Sequence, residues 1–137
     1  MKTNYRLLKI SFALIMFLFL QVGFTPSPAD INIEIKVSPN VLNLENQGDI
    51  VTVHTDIAYS IVISNSVLLN DVPIDWWKSD DRGNFVAKFE MADIKNLPLD
   101  IGGYNTLTLI GETKDGDTFI GSQEILVIKN IPVGGKK

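Results

Sequence analysis

Cysteine is absent from this 137-residue chain, and histidine occurs only once, at His54. The absence of cysteine excludes disulfides, thiolate metal sites and a cysteine nucleophile. A histidine metal site or a Ser-His-Asp triad would have to be built around a single imidazole on the polar face of a strand. We therefore expect His54 to be an exposed structural residue. A domain of this size can bury a core without disulfides, so their absence does not exclude export.

Basic residues are scarce in the part of the chain that we expect to fold. Three of the twelve Lys and Arg residues precede Asp30, and the remaining nine stand against sixteen Asp and Glu residues, which gives a net charge of about −7. Nucleic acids and anionic lipids need clustered basic residues that displace counterions. The composition therefore argues against both as partners and favours an acidic surface that keeps the protein soluble.

Long apolar runs are missing as well, apart from the run from Ile10 to Leu20. This run is about half of the ~20 residues that a membrane-spanning helix needs. A basic start and small residues before a cleavage site at Asp30 surround it, namely Lys2, Arg6, Lys9, Ser27 and Ala29. We predict that residues 1–29 are a signal peptide helix and that the protein is periplasmic, cell-surface or secreted. The alternative is an uncleaved anchor that extends through Phe24, whereas a lipoprotein is excluded because there is no cysteine.

Amphipathic helices and glycine-rich phosphate loops are also missing, which leaves nucleotide binding without support. What is present is the alternation of β-strands. Apolar residues recur at every second position from Ile31 to Val37 and from Val51 to Ile57, and a single helical turn is expected at Ala92 to Lys95, before Pro98. An Asp-Gly turn at Asp115 is a strong hairpin sequence. It predicts strands over residues 104–113 and 118–129.

These patterns together predict an all-β fold for residues 30–130, with turns at roughly ten-residue intervals. We expect an Ig-like antiparallel β-sandwich of seven or eight strands. A small barrel is the alternative. The first strand, Ile31 to Val37, is an expected sheet edge, and Val41 to Leu44 a short continuation on the opposite sheet. Tyr59 to Ile63 and Val67 to Leu69, on either side of Ser64 to Ser66, are each expected to be a strand, or the first of them finishes the preceding strand through a bulge. Residues 131–137, which end in Gly-Gly-Lys-Lys, are expected to be a disordered tail.

Both tryptophans lie in one expected hairpin, which runs from Ile74 to Phe89. Alternation along its two arms predicts one side that faces the core and one that does not. The predicted core side consists of Ile74, Trp76, Phe85, Ala87 and Phe89. Trp77 is then left on the side of Val86 and Lys88, where we expect it to be at least partly exposed.

The hairpin turn offers oxygen ligands for a hard cation. The candidate calcium ligands are Asp75, Asp80, Asp81 and Asn84, and Ca²⁺ needs six to eight oxygens. Their spacing does not fit an EF-hand loop. Arg82 supplies a cation among them, so a solvated turn in which Arg82 pairs with an aspartate is the favoured interpretation.

Exposed aromatic residues are the other candidates for binding. Trp77, with Tyr59 or Tyr104, could stack on a sugar ring or anchor a protein partner, because large aromatic side chains supply much contact area at low entropic cost. A half-buried position under a neighbouring loop is the favoured interpretation for Trp77, because a sandwich of this size usually keeps its tryptophans in the core. A pair of carboxylates of the glycosidase type is a third, less favoured possibility, because the acids fall mainly in turns and no cleft is predicted.

The last hairpin resembles a known group of domains. The run LIGETKDGDTFIG from Leu109 to Gly121, followed by Ile125 to Ile128, is similar to the closing strands of uncharacterised exported prokaryotic Ig-like β-sandwich domains. The segments Ile33 to Lys36 and Val67 to Asn70 are similar to their opening and middle strands. The resemblance implies an accessory module of secreted or surface proteins, with no assigned catalytic residues. The group often has a calcium-like acidic loop, from which this chain departs at Arg82.

We therefore predict a secreted or cell-surface, non-enzymatic module that binds a protein or a glycan or contributes to an extracellular assembly. A calcium-stabilised structural module is the alternative, and a small carboxylate-dependent hydrolase is less favoured. No cofactor is expected other than calcium. No nucleic acid or membrane partner is expected after the signal segment is removed.

Overall fold

A computed structural model describes residues 28–130 of the chain. These residues form ten strands, one 3-10 turn and one short helix. The strands are β1 (Asp30–Asn32), β2 (Ile35–Ser38), β3 (Val41–Asn43), β4 (Ile50–Ala58), β5 (Val62–Leu69), β6 (Val72–Pro73), β7 (Trp76–Ser79), β8 (Asn84–Glu90), β9 (Tyr104–Thr113) and β10 (Thr118–Ile128). The 3-10 turn is Tyr59–Ile61 and the helix, α1, is Met91–Lys95.

The strands form two sheets, which confirms the all-β prediction. One sheet has the order β2-β4-β8-β7, and the other has the order β1-β10-β9-β5-β6 with β3 also paired to β10. The expected number of seven or eight strands was wrong, because the amino-terminal strand is divided and β6 is a separate two-residue pairing. The helical turn before Pro98 is confirmed as α1. In residues 28–130 no helix is long and apolar enough to cross a membrane.

The amino-terminal segment crosses between the two sheets, so the single strand expected from Ile31 to Val37 is wrong. β1 pairs in parallel with β10, whereas β2 pairs with β4 in the other sheet. The crossing passes over Gly121, where a Cβ atom would lie 2.8 Å from the carbonyl oxygen of Ile33. β3 then returns to β10, on the sheet opposite to β2 as predicted.

One hydrophobic core receives side chains from both sheets. Each strand contributes the side chains of one face. In β4 these are Val51, Val53, Thr55 and Ile57, which are buried at every second position as the alternation predicts. The hydroxyl of Thr55 donates a 2.6 Å hydrogen bond to the carbonyl oxygen of Phe85, which offsets the cost of burying it. The largest fully buried side chains include Phe85, Phe89, Phe119, Leu42, Leu69, Ile94, Leu107, Leu109 and Ile125.

Both alternatives expected around Ser64 to Ser66 were wrong, because a 3-10 turn ends the preceding strand and β5 runs through these residues with a bulge of its own. The pairing of β5 with β9 shifts register between Ile63 and Leu68. At this shift the Ser66 hydroxyl bonds to backbone groups of both strands. It donates to the carbonyl oxygen of Ile63 at 2.6 Å and accepts from the amide of Glu112 at 2.8 Å. The polar residues that interrupt the apolar run are therefore part of one strand.

The last hairpin forms as predicted, with β9 and β10 joined at the Asp-Gly turn. Phe119 lies directly opposite Gly111, and a Cβ atom at Gly111 would clash with its ring. The glycine thus makes room for a buried aromatic ring. The predicted tail, residues 131–137, and all but the last two residues of the predicted signal peptide lie outside the described residues.

Candidate binding face

Two rows of side chains cross the outer face of the four-stranded sheet. The register places Lys36, His54, Val86 and Lys78 in the first row, and Ser38, Thr52, Lys88 and Trp76 in the second. Their neighbours along the strands, such as Val53 and Ala87, belong to the core, so the rows point to the other side of the sheet. We call these eight residues the cationic face.

The charge of this face is opposite to that of the domain. Three of its eight residues are lysine and none is acidic, whereas acidic residues outnumber basic ones more than twofold in residues 28–130. Lys36, Lys78 and His54 are exposed. The face therefore concentrates positive charge on a surface that is otherwise negative.

Trp76 is the aromatic residue of the cationic face. Its side chain is 47% exposed, and the Nζ atom of Lys88 lies 5.3 Å from the centroid of its ring. The same Nζ atom donates to the hydroxyl of Thr52 at 3.3 Å. The ammonium group is therefore held between a hydroxyl and an aromatic ring, which restrains both side chains in one arrangement.

Val86 forms the floor of the face. It is fully buried although it lies between the core residues Phe85 and Ala87 and so points away from the core. Its cross-strand neighbours are His54 and Lys78. The methylene groups of lysine can cover apolar surface while the ammonium group stays in water. We infer that Val86 packs beneath the lysine side chains of this face, with their ammonium groups around it.

Carboxylates gather beside the face, where the turn between β7 and β8 lies near the end of β4 and the start of β2. They line an open depression of about 630 Å³, with Glu34, Asp56, Asp80 and Asp81 as its acids. Its other walls include Arg82 and Asn84, and also Lys36 and His54 of the cationic face. Asp56 accepts a 2.9 Å hydrogen bond from the amide of Glu34 through Oδ1. The depression is a concave surface that the sequence did not predict.

Asp80 holds the turn in shape. Its Oδ1 atom accepts hydrogen bonds from the amides of Arg82 at 2.8 Å and Asn84 at 2.9 Å. The amide of Asn84 is the main reason that the pKa of the Asp80 carboxyl is lowered, and the Arg82 amide and charge act in the same direction. A glycosidase needs a general acid whose pKa is raised. Asp80 is shifted the opposite way, so it does not suit that role.

The structure brings three of the four proposed calcium ligands together. Asp80, Asp81 and Asn84 share the depression, but Asp75 lies at the other end of β7, roughly 16 Å along the strand. Within the described part of the chain, no group of three or more His, Asp or Glu side chains is arranged to hold a metal ion. Arg82 also lines the same depression. The four proposed ligands are therefore not gathered at one point, and both the calcium site and the pairing of Arg82 with an aspartate stay predictions.

The three proposed aromatic residues are divided between two places. Trp77 and Tyr59 line one depression of about 360 Å³, together with Lys114 and part of β5. Tyr59 stacks on Phe85 with ring centroids 6.0 Å apart. Tyr104 is 68% exposed but begins β9, whose other end, at Thr113, pairs with Val62 beside this depression. The three therefore do not form one site.

The expected faces of the two tryptophans were wrong, although the half-buried position favoured for Trp77 is confirmed. Trp77 lies opposite Ala87 and packs against the core, whereas Trp76 lies opposite Lys88 on the outer face. The reason is the link before β7. Ile74 packs against the core as predicted, but its amide donates to Val67 of the other sheet, while the amide of Asp75 donates to Lys88. The chain changes sheets between these residues, so alternation begins afresh at Trp76.

The sequence patterns missed the cationic face. Its members come from four strands, and their proximity depends on a register that one sequence does not show. Alternation did place Lys36 and His54 on polar faces, as the structure has them. Only the pairing of strands brings these two residues beside Lys78, Lys88 and Trp76.

Comparisons with family models, curated proteins and solved structures give no match to this chain.

Proposed function

We propose that this protein is an exported, non-enzymatic binding module with an Ig-like β-sandwich fold, and that the cationic face is its binding surface. The observation that carries the proposal is the half-exposed Trp76, held in place by Lys88 on a face without carboxylates. A large aromatic side chain on an open surface supplies contact area at low entropic cost and is typical of binding sites.

The strand order supports the Ig-like part of the proposal. Ig domains have one sheet of strands A, B, E and D, and a second in which strand F lies between C and G. The order β2-β4-β8-β7 corresponds to the first, and the order β10-β9-β5 to the second, with β6 as an added edge strand. The resemblance to exported prokaryotic domains points the same way.

Export rests on the sequence of residues 1–29, with its basic start, apolar run and small residues before Asp30. Expression of the full chain in a bacterial host, followed by mass spectrometry of the protein outside the cytoplasm, tests it. We expect a mature chain that begins at Asp30. Recovery only of a chain that begins at Met1, inside the cell, would contradict export.

The binding proposal is tested with the fluorescently labelled protein on glycan and protein arrays. We expect at least one class of ligand to bind, and we expect Trp76→Ala to remove that binding while the melting temperature stays within a few degrees. Tyr104→Ala is the matched control, since Tyr104 is also exposed but lies on the other sheet. Equal binding by the Trp76→Ala variant, or no binding on either array, would refute the proposed surface.

A further inference from the structure

We propose that the ligand of the cationic face is an acidic polysaccharide, a chain of sugar rings that carry carboxylate or sulfate groups. This inference rests on the proposed function and adds the chemical class of the ligand. The face combines the three features that such a ligand needs. It has an exposed indole for the apolar side of a sugar ring, hydroxyl and imidazole groups for sugar hydroxyls, and ammonium groups for the acidic substituents.

The dimensions of the face suit a chain rather than a single ion. Lys36 and Lys78 end the first row, separated by three interstrand spacings, or about 14 Å. The second row, with Trp76 and Lys88, runs parallel to it about 7 Å away along the strands. A short oligosaccharide that lies across the strands can meet Trp76 and more than one lysine at the same time.

Charge on both sides of the rows limits where a polyanion can lie. At one end of the strands are the carboxylates of the depression, including Asp56 and Asp80. Beyond the second row is Glu90, which follows Lys88 at the next outward position of β8. An anionic ligand is repelled at both ends, so it is confined to the two rows and aligned with them.

A protein partner fits this face less well. The centres of protein interfaces are enriched in Tyr, Trp, Met and Arg and depleted in Lys. Here all the basic side chains are lysines, one aromatic residue is present, and the apolar floor formed by Val86 is fully covered. A partner protein would find no apolar pocket among the eight residues, whereas sugar hydroxyls and acids would find donors.

A nucleic acid also fits less well. Duplex DNA carries one charge per about 1.7 Å and is held by many phosphate contacts, and single strands are held by several stacked aromatic residues. The face offers three lysines and one tryptophan on a domain in which acidic residues exceed basic ones more than twofold. A polymer whose charges are spaced by sugar rings matches three lysines without bringing a dense negative charge against the surrounding carboxylates.

The test is isothermal titration of the purified protein with oligomers of galacturonic acid, and separately with dextran sulfate, at low salt. The methyl ester of the galacturonate oligomer is the matched neutral probe, and single-stranded oligo-dT is the matched nucleic acid. We expect the acid to bind at least about tenfold more tightly than its ester and than oligo-dT, and we expect added salt to weaken the binding. The two acidic polymers distinguish carboxylate from sulfate recognition.

Variants locate the site. Lys78→Gln and Lys88→Gln should each weaken binding by about three- to fivefold, and Trp76→Ala by about tenfold. Lys129→Gln, on an exposed lysine after β10, is the control and should change nothing. Amide chemical shift changes should follow the two rows across β2, β4, β8 and β7. Trp76→Gln serves as a second variant if Trp76→Ala has a lowered melting temperature.

The outcomes separate this inference from the proposed function. Equal binding of the acid and its ester, lost in Trp76→Ala, would overturn the acidic ligand and keep the binding module. Equal affinity for oligo-dT, or an unchanged affinity in both lysine variants, would also overturn it, because the attraction would then be unselective or located elsewhere. No binding of either acidic polymer overturns the inference, while the arrays alone decide whether the module binds anything else.

Discussion

The hairpin of β7 and β8 has two sides that differ in what they do. On the inner side, Phe85, Ala87 and Phe89 are fully buried and Trp77 packs against the core. On the outer side, Trp76 and Lys78 are exposed. Stability is therefore expected to depend on the inner side and binding on the outer side, although the two sets alternate residue by residue.

The largest expected effect is on the inner side, at Phe85. Its ring is fully buried and stacks on Tyr59, and truncation to alanine leaves a cavity. We expect Phe85→Ala to lower the free energy of unfolding by about 3–5 kcal/mol, measured by urea denaturation. Phe85→Leu is the milder control and should recover part of the loss. A loss below about 1 kcal/mol for Phe85→Ala would contradict the assignment of this side to the core.

The second-largest loss of stability is expected for substitutions of Trp77, which packs against the core but is only partly buried. We expect Trp77→Ala to cost about 2 kcal/mol, and Trp77→Phe to cost less since it keeps an apolar ring in the gap. Denaturation curves of the two variants give the comparison. Binding to any ligand of the cationic face should stay at its native level at temperatures where the variants are folded. A variant that loses binding while fully folded would show that the two sides are coupled.

The turn that joins the two strands should show a smaller effect that depends on pH. Asp80→Ala removes the acceptor of two backbone amides, and we expect the melting temperature to fall by a few degrees at pH 7. Asp80→Asn keeps a neutral acceptor, so its melting temperature should fall less. Because folding lowers the pKa of Asp80 below its ordinary value of 3.8, the stability from its charge is present above that pH. It is lost as the pH falls through the lower pKa of the folded state.

The difference in melting temperature between the native protein and Asp80→Asn should therefore shrink in acid. Thermal unfolding followed by circular dichroism from pH 7 to pH 2.5 measures it. A difference that grows as the pH falls would mean that the turn is stabilised by the protonated carboxyl, which the two hydrogen bonds argue against.

The smallest effect on stability is expected for Trp76. Its side chain is about half exposed and does not belong to the hydrophobic core, and the ammonium group of Lys88 lies over its ring, a contact of about 0.5 kcal/mol at an exposed site. We expect Trp76→Ala to change the free energy of unfolding by about that amount. A loss as large as that of Trp77→Ala would remove the distinction between the two tryptophans.

Local patterns in the sequence predicted most of the strands. The alternation in β4 and the Asp-Gly turn after β9 predicted both the elements and their buried residues, because each depends on neighbours in the chain. The hairpin of β7 and β8 was found for the same reason. These are features in which a strand stays in one sheet over its whole length.

The errors fall where the chain changes sheets. The expected strand from Ile31 to Val37 divides where it crosses Gly121, a residue almost ninety positions away. The predicted faces of the two tryptophans were exchanged because the backbone amide of Ile74 donates a hydrogen bond to one sheet and that of Asp75 to the other. Periodicity within a segment contains no information on either crossing. The cationic face was missed for a related reason, since its rows exist only when four strands are aligned.

The pairing of the amino-terminal strands with β10 also determines when their sheet can form. β1 and β3 both pair with β10, so Asp30 and Leu42 take their places only beside Thr118 and Val127. During synthesis the first strands to emerge have no partner in that sheet until the last strand has been made. Contacts between such distant residues close slowly. We therefore expect β1 and β3 to join this sheet only after β10 has been synthesised.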